Sequence, residues 1–263
     1  MGLALATAVS IPIHHVGLIN LFDCNGRDRD DPRSVRRRFI GVNVSNAITV
    51  ASTLAYFGVN SIEGALDLLG IRWNGSFAVS AWIAIHTCLL FIPNIIENVC
   101  NFDWHYIKGT VTNITWVRNA FFAPICEELA FRACAGQLMA EALGETASVW
   151  VTPALFALCH LHLLIDDRRQ GSSWSAAFTH RSFQVAYTYL FGVYAMVLFF
   201  RTRHLLAPIV CHSICNNFGL PLIVDLIGRP SSPYRTNMII LSFLSLGLFV
   251  FTFSYFTHPS IYQ

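Results

Sequence analysis

Three short clusters in this 263-residue chain hold side chains able to do hydrolytic chemistry. The first is Cys126-Glu127-Glu128-Leu129-Ala130-Phe131-Arg132. On a helix Glu128 and Arg132 stand four apart and share a face, so they can pair, while Glu127 points about 100° away and is left for other work. The second is Phe156-Ala157-Leu158-Cys159-His160, followed by His162. Phe156 lies one turn before His160 and packs against it, whereas His162 faces nearly the opposite way, toward Asp166 and Asp167. The third is His212-Ser213-Ile214-Cys215-Asn216, with Asn217 next. His212 and Asn216 share one face, and Pro208 stands one turn earlier, where it can start or kink the helix.

Each cluster alone has a plain structural reading: an ion pair, a hydrogen-bonded core histidine, and polar glue between helices. Together they weigh differently. Ionisable and amide side chains inside apolar segments are costly, and convergence on one wet cavity makes several burials into a single site. Amide hydrolysis needs an activated water, a proton for the leaving nitrogen and donors for the oxyanion. Glu127 with His160 suits the first two tasks, and His212 with Asn216 suits the third. No HExxH, GxGD or GxSxG occurs. Zinc stays open, because Glu and His are zinc ligands. A thiol route is discounted: Cys126, Cys159 and Cys211 each precede a key residue, but a helix neighbour points elsewhere. Two non-hydrolytic readings compete, a proton or transport path and a catalytically silent membrane scaffold. Transporters show repeats and broken helices, and no repeat is visible here.

The elements that carry these clusters are apolar helices. The chain is 54% hydrophobic and 12% charged, against about 25% charged in soluble domains. That leaves too little polar surface for a soluble globule and predicts an all-α, polytopic transmembrane helical bundle. A span needs about 20 apolar residues. Eight segments come close, at 3–22, 39–60, 77–97, 119–142, 147–165, 183–200, 205–224 and 237–256, within a single domain over residues 1–263. The first contains Pro12, His14 and His15, lacks a basic leader and reads as a membrane segment. Eight alternating spans put 13 basic residues on one side, among them Arg27, Arg29, Arg33, Arg36, Arg37, Arg38, Lys108 and Arg229, and three (Arg72, Arg201, Arg203) on the other. The basic side is then cytosolic, both termini and Asn74 lie opposite it, and the clusters open toward the cytosol. The net charge of +2 and the acids that offset the Arg27–Arg38 stretch argue against nucleic acid. The eight cysteines follow no framework spacing; most (Cys88, Cys126, Cys134, Cys159, Cys211 and Cys215) fall in apolar stretches and read as buried free thiols.

Glu127-Glu128-x-x-x-Arg132, Phe156-x-x-x-His160 and His212-x-x-x-Asn216 resemble the three motifs of the type II CAAX prenyl endopeptidases, within the wider CPBP family of intramembrane glutamate proteases. The likeness extends to Arg29-Asp30-Asp31-Pro32, Arg37-Arg38-Phe39, Arg118-Asn119, Ala123-Pro124, Phe183-Gln184, Tyr187, Phe191-Gly192 and Arg201-Thr202-Arg203-His204-Leu205, over about residues 27 to 220. Arg203 stands where the eukaryotic branch has Gly, and Leu163-Leu164 where it often has a further His. The resemblance implies removal of the last three residues from farnesylated or geranylgeranylated CaaX proteins such as small GTPases. It implies a multi-pass protein of the endoplasmic reticulum, in contact with membrane lipid, with no metal or other cofactor. It also implies Glu127 as the base assisted by His160, His212 and Asn216 as oxyanion donors, and supporting roles for Glu128, Arg132 and Phe156.

Overall fold

The computed structural model of the chain describes residues 1–24, 28–222, 226 and 233–261; Arg27, Arg229 and the end of the 205–224 segment lie outside the described residues. Every regular element among those residues is helical, as expected. In chain order the helices are α1 (Gly2–Phe22), α2 (Pro32–Phe57), α3 (Ile62–Leu68), α4 (Ser76–Leu90), α5 (Ile92–Cys100), α6 (Trp104–Val111) and α7 (Ile114–Val117). Then follow α8 (Ala123–Glu128), α9 (Gln137–Leu143), α10 (Glu145–Leu158), α11 (Leu163–Arg169), α12 (Trp174–Thr202), α13 (Leu206–Phe218) and α14 (Pro233–Phe256). Wide π-helical turns, Arg118–Phe122 and Leu129–Gly136, flank α8, and a tight 3-10 turn, Cys159–His162, joins α10 to α11. The chain forms two compact units, residues 1–72 with 125–208 and residues 73–124 with 209–263.

In the first unit α2 starts where Asp31 accepts hydrogen bonds from the backbone N–H groups of Arg33 and Ser34, with Pro32 in the first turn. It stops at Gly58, whose φ of +66° is left-handed. Small residues let the helices approach closely. A Cβ on Gly41 would come 2.7 Å from Leu18 O on α1, and one on Gly192 would come 2.8 Å from the Pro153 ring on α10.

Polar side chains close both ends of this unit. At one end Arg38 binds Asp23 (2.7 Å) and reaches Asp166 (3.8 Å), and Arg181 donates to Asp167 (2.7 Å). This gathers the α1–α2 connection, α11 and the start of α12. At the other end Gln137 donates to Leu68 O (3.2 Å), Leu205 N to Gly70 O (2.8 Å), and Arg203 to Glu145 (2.6 Å). Gln137 thus brings the segment 125–143 to this second end, although Glu127, Glu128, Arg132 and Glu141 make it too charged to read as an apolar span.

Among the described residues five helical segments are long and apolar enough to cross a membrane: α1, α2, Glu145–Arg169, α12 and α14. The bent pair α4 and α5 makes a sixth if counted as one span. These six match six of the eight expected segments. The other two, 119–142 and 205–224, are the segments that carry Glu127 and His212. The first carries Glu127, Glu128 and Arg132, and the described helix of the second is the 13-residue Leu206–Phe218, about 20 Å long.

In the second unit α4 and α5 meet at 82° beside Phe91, and α14 packs along both. His86 on α4 is fully buried, donates to Phe249 O (3.1 Å) and stacks on the Phe249 ring at 4.4 Å. Asn94 on α5 accepts from Leu222 N (3.0 Å) and donates to Leu220 O (3.2 Å), which fixes the chain just past α13.

Candidate active site

Five of the seven expected site residues belong to the first unit, and the structure joins four of them, Glu128, Arg132, Phe156 and His160, in a chain of contacts. Glu128 and Arg132 are 0% and 1% exposed and pair at 2.9 Å. The widened turn Leu129–Gly136 holds Arg132, and such turns recur at functional sites. The Arg132 guanidinium lies over the Phe156 ring at 4.4 Å and the Phe191 ring at 5.5 Å, a cation–π arrangement that suits a desolvated arginine. Phe156, itself buried, meets the His160 ring edge-on at 5.3 Å. So the glutamate motif and the Phe-x-x-x-His motif touch through Arg132 and Phe156.

The two adjacent glutamates have different surroundings. Glu128 is sealed against Arg132, while Glu127 is only half-buried. His160 is also half-buried, and its Nδ1 lies 3.2 Å from Phe156 O. A carbonyl can only accept, so Nδ1 donates in this bond, and in the matching neutral tautomer Nε2 is the acceptor nitrogen. That is the nitrogen able to take a proton. His162 makes the same kind of bond, from Nδ1 to Cys159 O.

Depth follows from the helices. The Asn46 amide on α2 donates to Cys126 O at 3.1 Å, and Asn46 lies eight residues beyond Arg38. Glu127 thus sits about 12 Å inside the Arg38–Asp23–Asp166 end. His160 precedes Asp166 by six residues, or about 9 Å. The two residues lie within about 3 Å of the same level. Asn46 escapes the sequence reading; its one signal is a carboxamide within an apolar segment, which needs a partner there. His14 and His15 also gain a role in packing. Both meet Ser45 Oγ, at 3.0 and 3.3 Å, and His15 rests edge-on against Phe131.

His212 and Asn216 belong to the second unit, on α13. His212 is buried and Asn216 exposed. Asn216 Nδ2 donates to Asn119 O at 2.9 Å, and Ser213 Oγ donates to Ala120 O at 2.6 Å. The backbone explains why these two carbonyls are available. In the wide turn Ala123 N donates to Arg118 O. The next residue, Pro124, has no N–H. It occupies the position that would serve Asn119 O in π register or Ala120 O in α register, and the α13 side chains take its place. The carboxamide of Asn216 is held by one N–H and keeps a second as donor.

All eight cysteines are free thiols, three of them buried. Among the described residues no group of three or more His, Cys, Asp or Glu side chains is arranged to hold a metal ion.

Residues 110–218 match the family model described as Type II CAAX prenyl endopeptidase Rce1-like. The chain is 36% identical to a CAAX prenyl protease 2 of Caenorhabditis elegans over 263 residues, covering 98% of this chain and 97% of the relative. It is 30% identical to a CAAX prenyl protease 2 of Homo sapiens (89% and 75% covered) and 37% identical to one of Arabidopsis thaliana (71% and 69% covered). No solved structure matches the chain.

Proposed function

The chain belongs to the type II CAAX prenyl endopeptidases, a family of membrane peptide hydrolases, and on that premise we propose that it removes the C-terminal aaX tripeptide from prenylated CaaX proteins. The substrates are farnesylated or geranylgeranylated proteins such as small GTPases. The site opens to the cytosol from the membrane of the endoplasmic reticulum, and residues 1–263 work as one protease domain.

In the proposed reaction Glu127 takes a proton from a water molecule, assisted by the lone pair on His160 Nε2. The water oxygen bonds to the carbonyl carbon of the prenylated cysteine. His212 and the second N–H of Asn216 donate to the oxyanion as it forms. Collapse breaks the C–N bond, and the proton held at Glu127 passes to the leaving nitrogen. The products are a new cysteine carboxylate and a free tripeptide. Glu128 and Arg132 do not react; with Phe156 they fix the base side of the site.

The observation that carries this reading is the similar depth of Glu127 and His160, with the neighbouring Glu128 linked to His160 through Arg132 and Phe156, in a chain of this family. The test uses detergent-solubilised full-length protein, a farnesylated CaaX peptide and its unprenylated twin. The expected product is the farnesylated peptide shortened by aaX, formed from the prenylated substrate alone. Cleavage at another bond, or no preference for the prenyl group, overturns the proposal.

A further inference from the structure

An enzyme that removes a fixed number of C-terminal residues must sense the chain end as well as the scissile bond. Three extended residues span about 10 Å, so the sensor must lie about that far from the oxyanion donors.

The second unit holds an open cleft of about 460 Å³ lined by His105, Gly109, Thr110, Asn113, Trp116 and Asn119. Asn119, one of its lining residues, holds Asn216 through its backbone carbonyl. Asn113 and His105 also line it. Asn113 precedes Asn119 by six residues of helical chain, an axial distance of about 9 Å. The lining from Asn119, which holds Asn216, to Asn113 therefore covers about the length of a tripeptide.

The chemistry of its walls is one-sided. Asn113 uses its oxygen as an acceptor, from Thr115 N at 2.9 Å, and Asn119 Oδ1 accepts from Arg118 Nε at 2.9 Å. Both carboxamides thus have their acceptors engaged internally and keep N–H donors. His105 adds an imidazole and Thr110 a hydroxyl, no carboxylate is among the described lining residues, Asp103 is engaged by His105 N at 2.8 Å, and Lys108 is exposed on the same short helix. Trp116 is fixed by its indole N–H to Asn217 Oδ1 at 2.8 Å, which leaves its ring as an apolar wall.

We propose that this cleft binds the aaX portion of the substrate, with His105 and Asn113 receiving its terminal carboxylate, and so sets the length of the fragment removed. The inference rests on the reading that Asn216 serves the scissile carbonyl.

The test compares two farnesylated peptides of one sequence, ending in a carboxylate or in a carboxamide, with wild type and Asn113→Asp. Aspartate caps a helix as well as asparagine does, so the local fold is kept while a like charge faces the carboxylate. Wild type should prefer the carboxylate peptide in kcat/KM by about tenfold to a hundredfold, the range of a charge-assisted hydrogen bond. Asn113→Asp should shrink that ratio at least tenfold, and His105→Asn should shrink it less. A wild-type ratio near one, or a ratio unchanged in Asn113→Asp, overturns the inference while leaving the protease reading intact. Release of no tripeptide from either peptide by wild type overturns both.

Discussion

Glu127 and Glu128 are neighbours in different surroundings, and the proposed function gives them separate tasks. Glu128 is sealed with Arg132, so its removal leaves a guanidinium without its counter-charge in a dry interior, a loss of about 3–5 kcal/mol. Glu128→Ala should therefore lower the unfolding temperature in detergent sharply. The double variant Glu128→Leu with Arg132→Met should recover much of that loss, because a matched apolar pair removes both charges together. A Glu128→Ala protein that unfolds at the wild-type temperature would contradict the assignment. This division was legible in the sequence, since four-residue spacing puts Glu128 with Arg132 and turns Glu127 aside. Asn46 was not legible. Its value comes from packing across 80 positions onto the carbonyl of Cys126, and nothing near it in the chain marks that partner.

At the scale of elements, the site depends on irregular helix. The wide turn Arg118–Phe122 followed by Pro124 exposes two carbonyls, and α13 docks on them through Ser213 and Asn216. Pro124→Ala supplies an N–H that competes for the same carbonyls, so α13 should lose its fixed register. The expected result is a fall of about tenfold in kcat with KM and unfolding temperature little changed, matched in part by Ser213→Ala at about 1 kcal/mol for the lost bond, with Ser213→Thr restoring activity. Equal rates for Pro124→Ala and wild type would remove the docking role. Ala123-Pro124 stands out in the sequence, and Ser213 lies inside the third motif. Their link is invisible there, because wide helical turns have no residue signature and both regions read as ordinary apolar helix.

At the scale of the whole molecule, composition alone gave an all-helical membrane protein, and six expected spans correspond to helices that qualify by length and apolarity. The two that do not are instructive. A segment that buries Glu128 and Arg132 and half-buries Glu127 departs from an apolar pattern, and short α13 carries the His and Asn. Hydropathy is weakest where the chemistry sits, since chemistry and apolarity make opposite demands on the same residues. The central claim is that Glu127 and His160 activate water for cleavage. The most direct measurement is release of the aaX tripeptide from a farnesylated CaaX peptide by wild type, Glu127→Ala, His160→Ala and a variant lacking all eight cysteines, each with and without chelator. The account predicts release by wild type and by the cysteine-free protein, unaffected by chelator, and a loss of at least about a hundredfold in Glu127→Ala and His160→Ala, the scale of general-base catalysis. Tripeptide release that survives Glu127→Ala in a folded protein would contradict it.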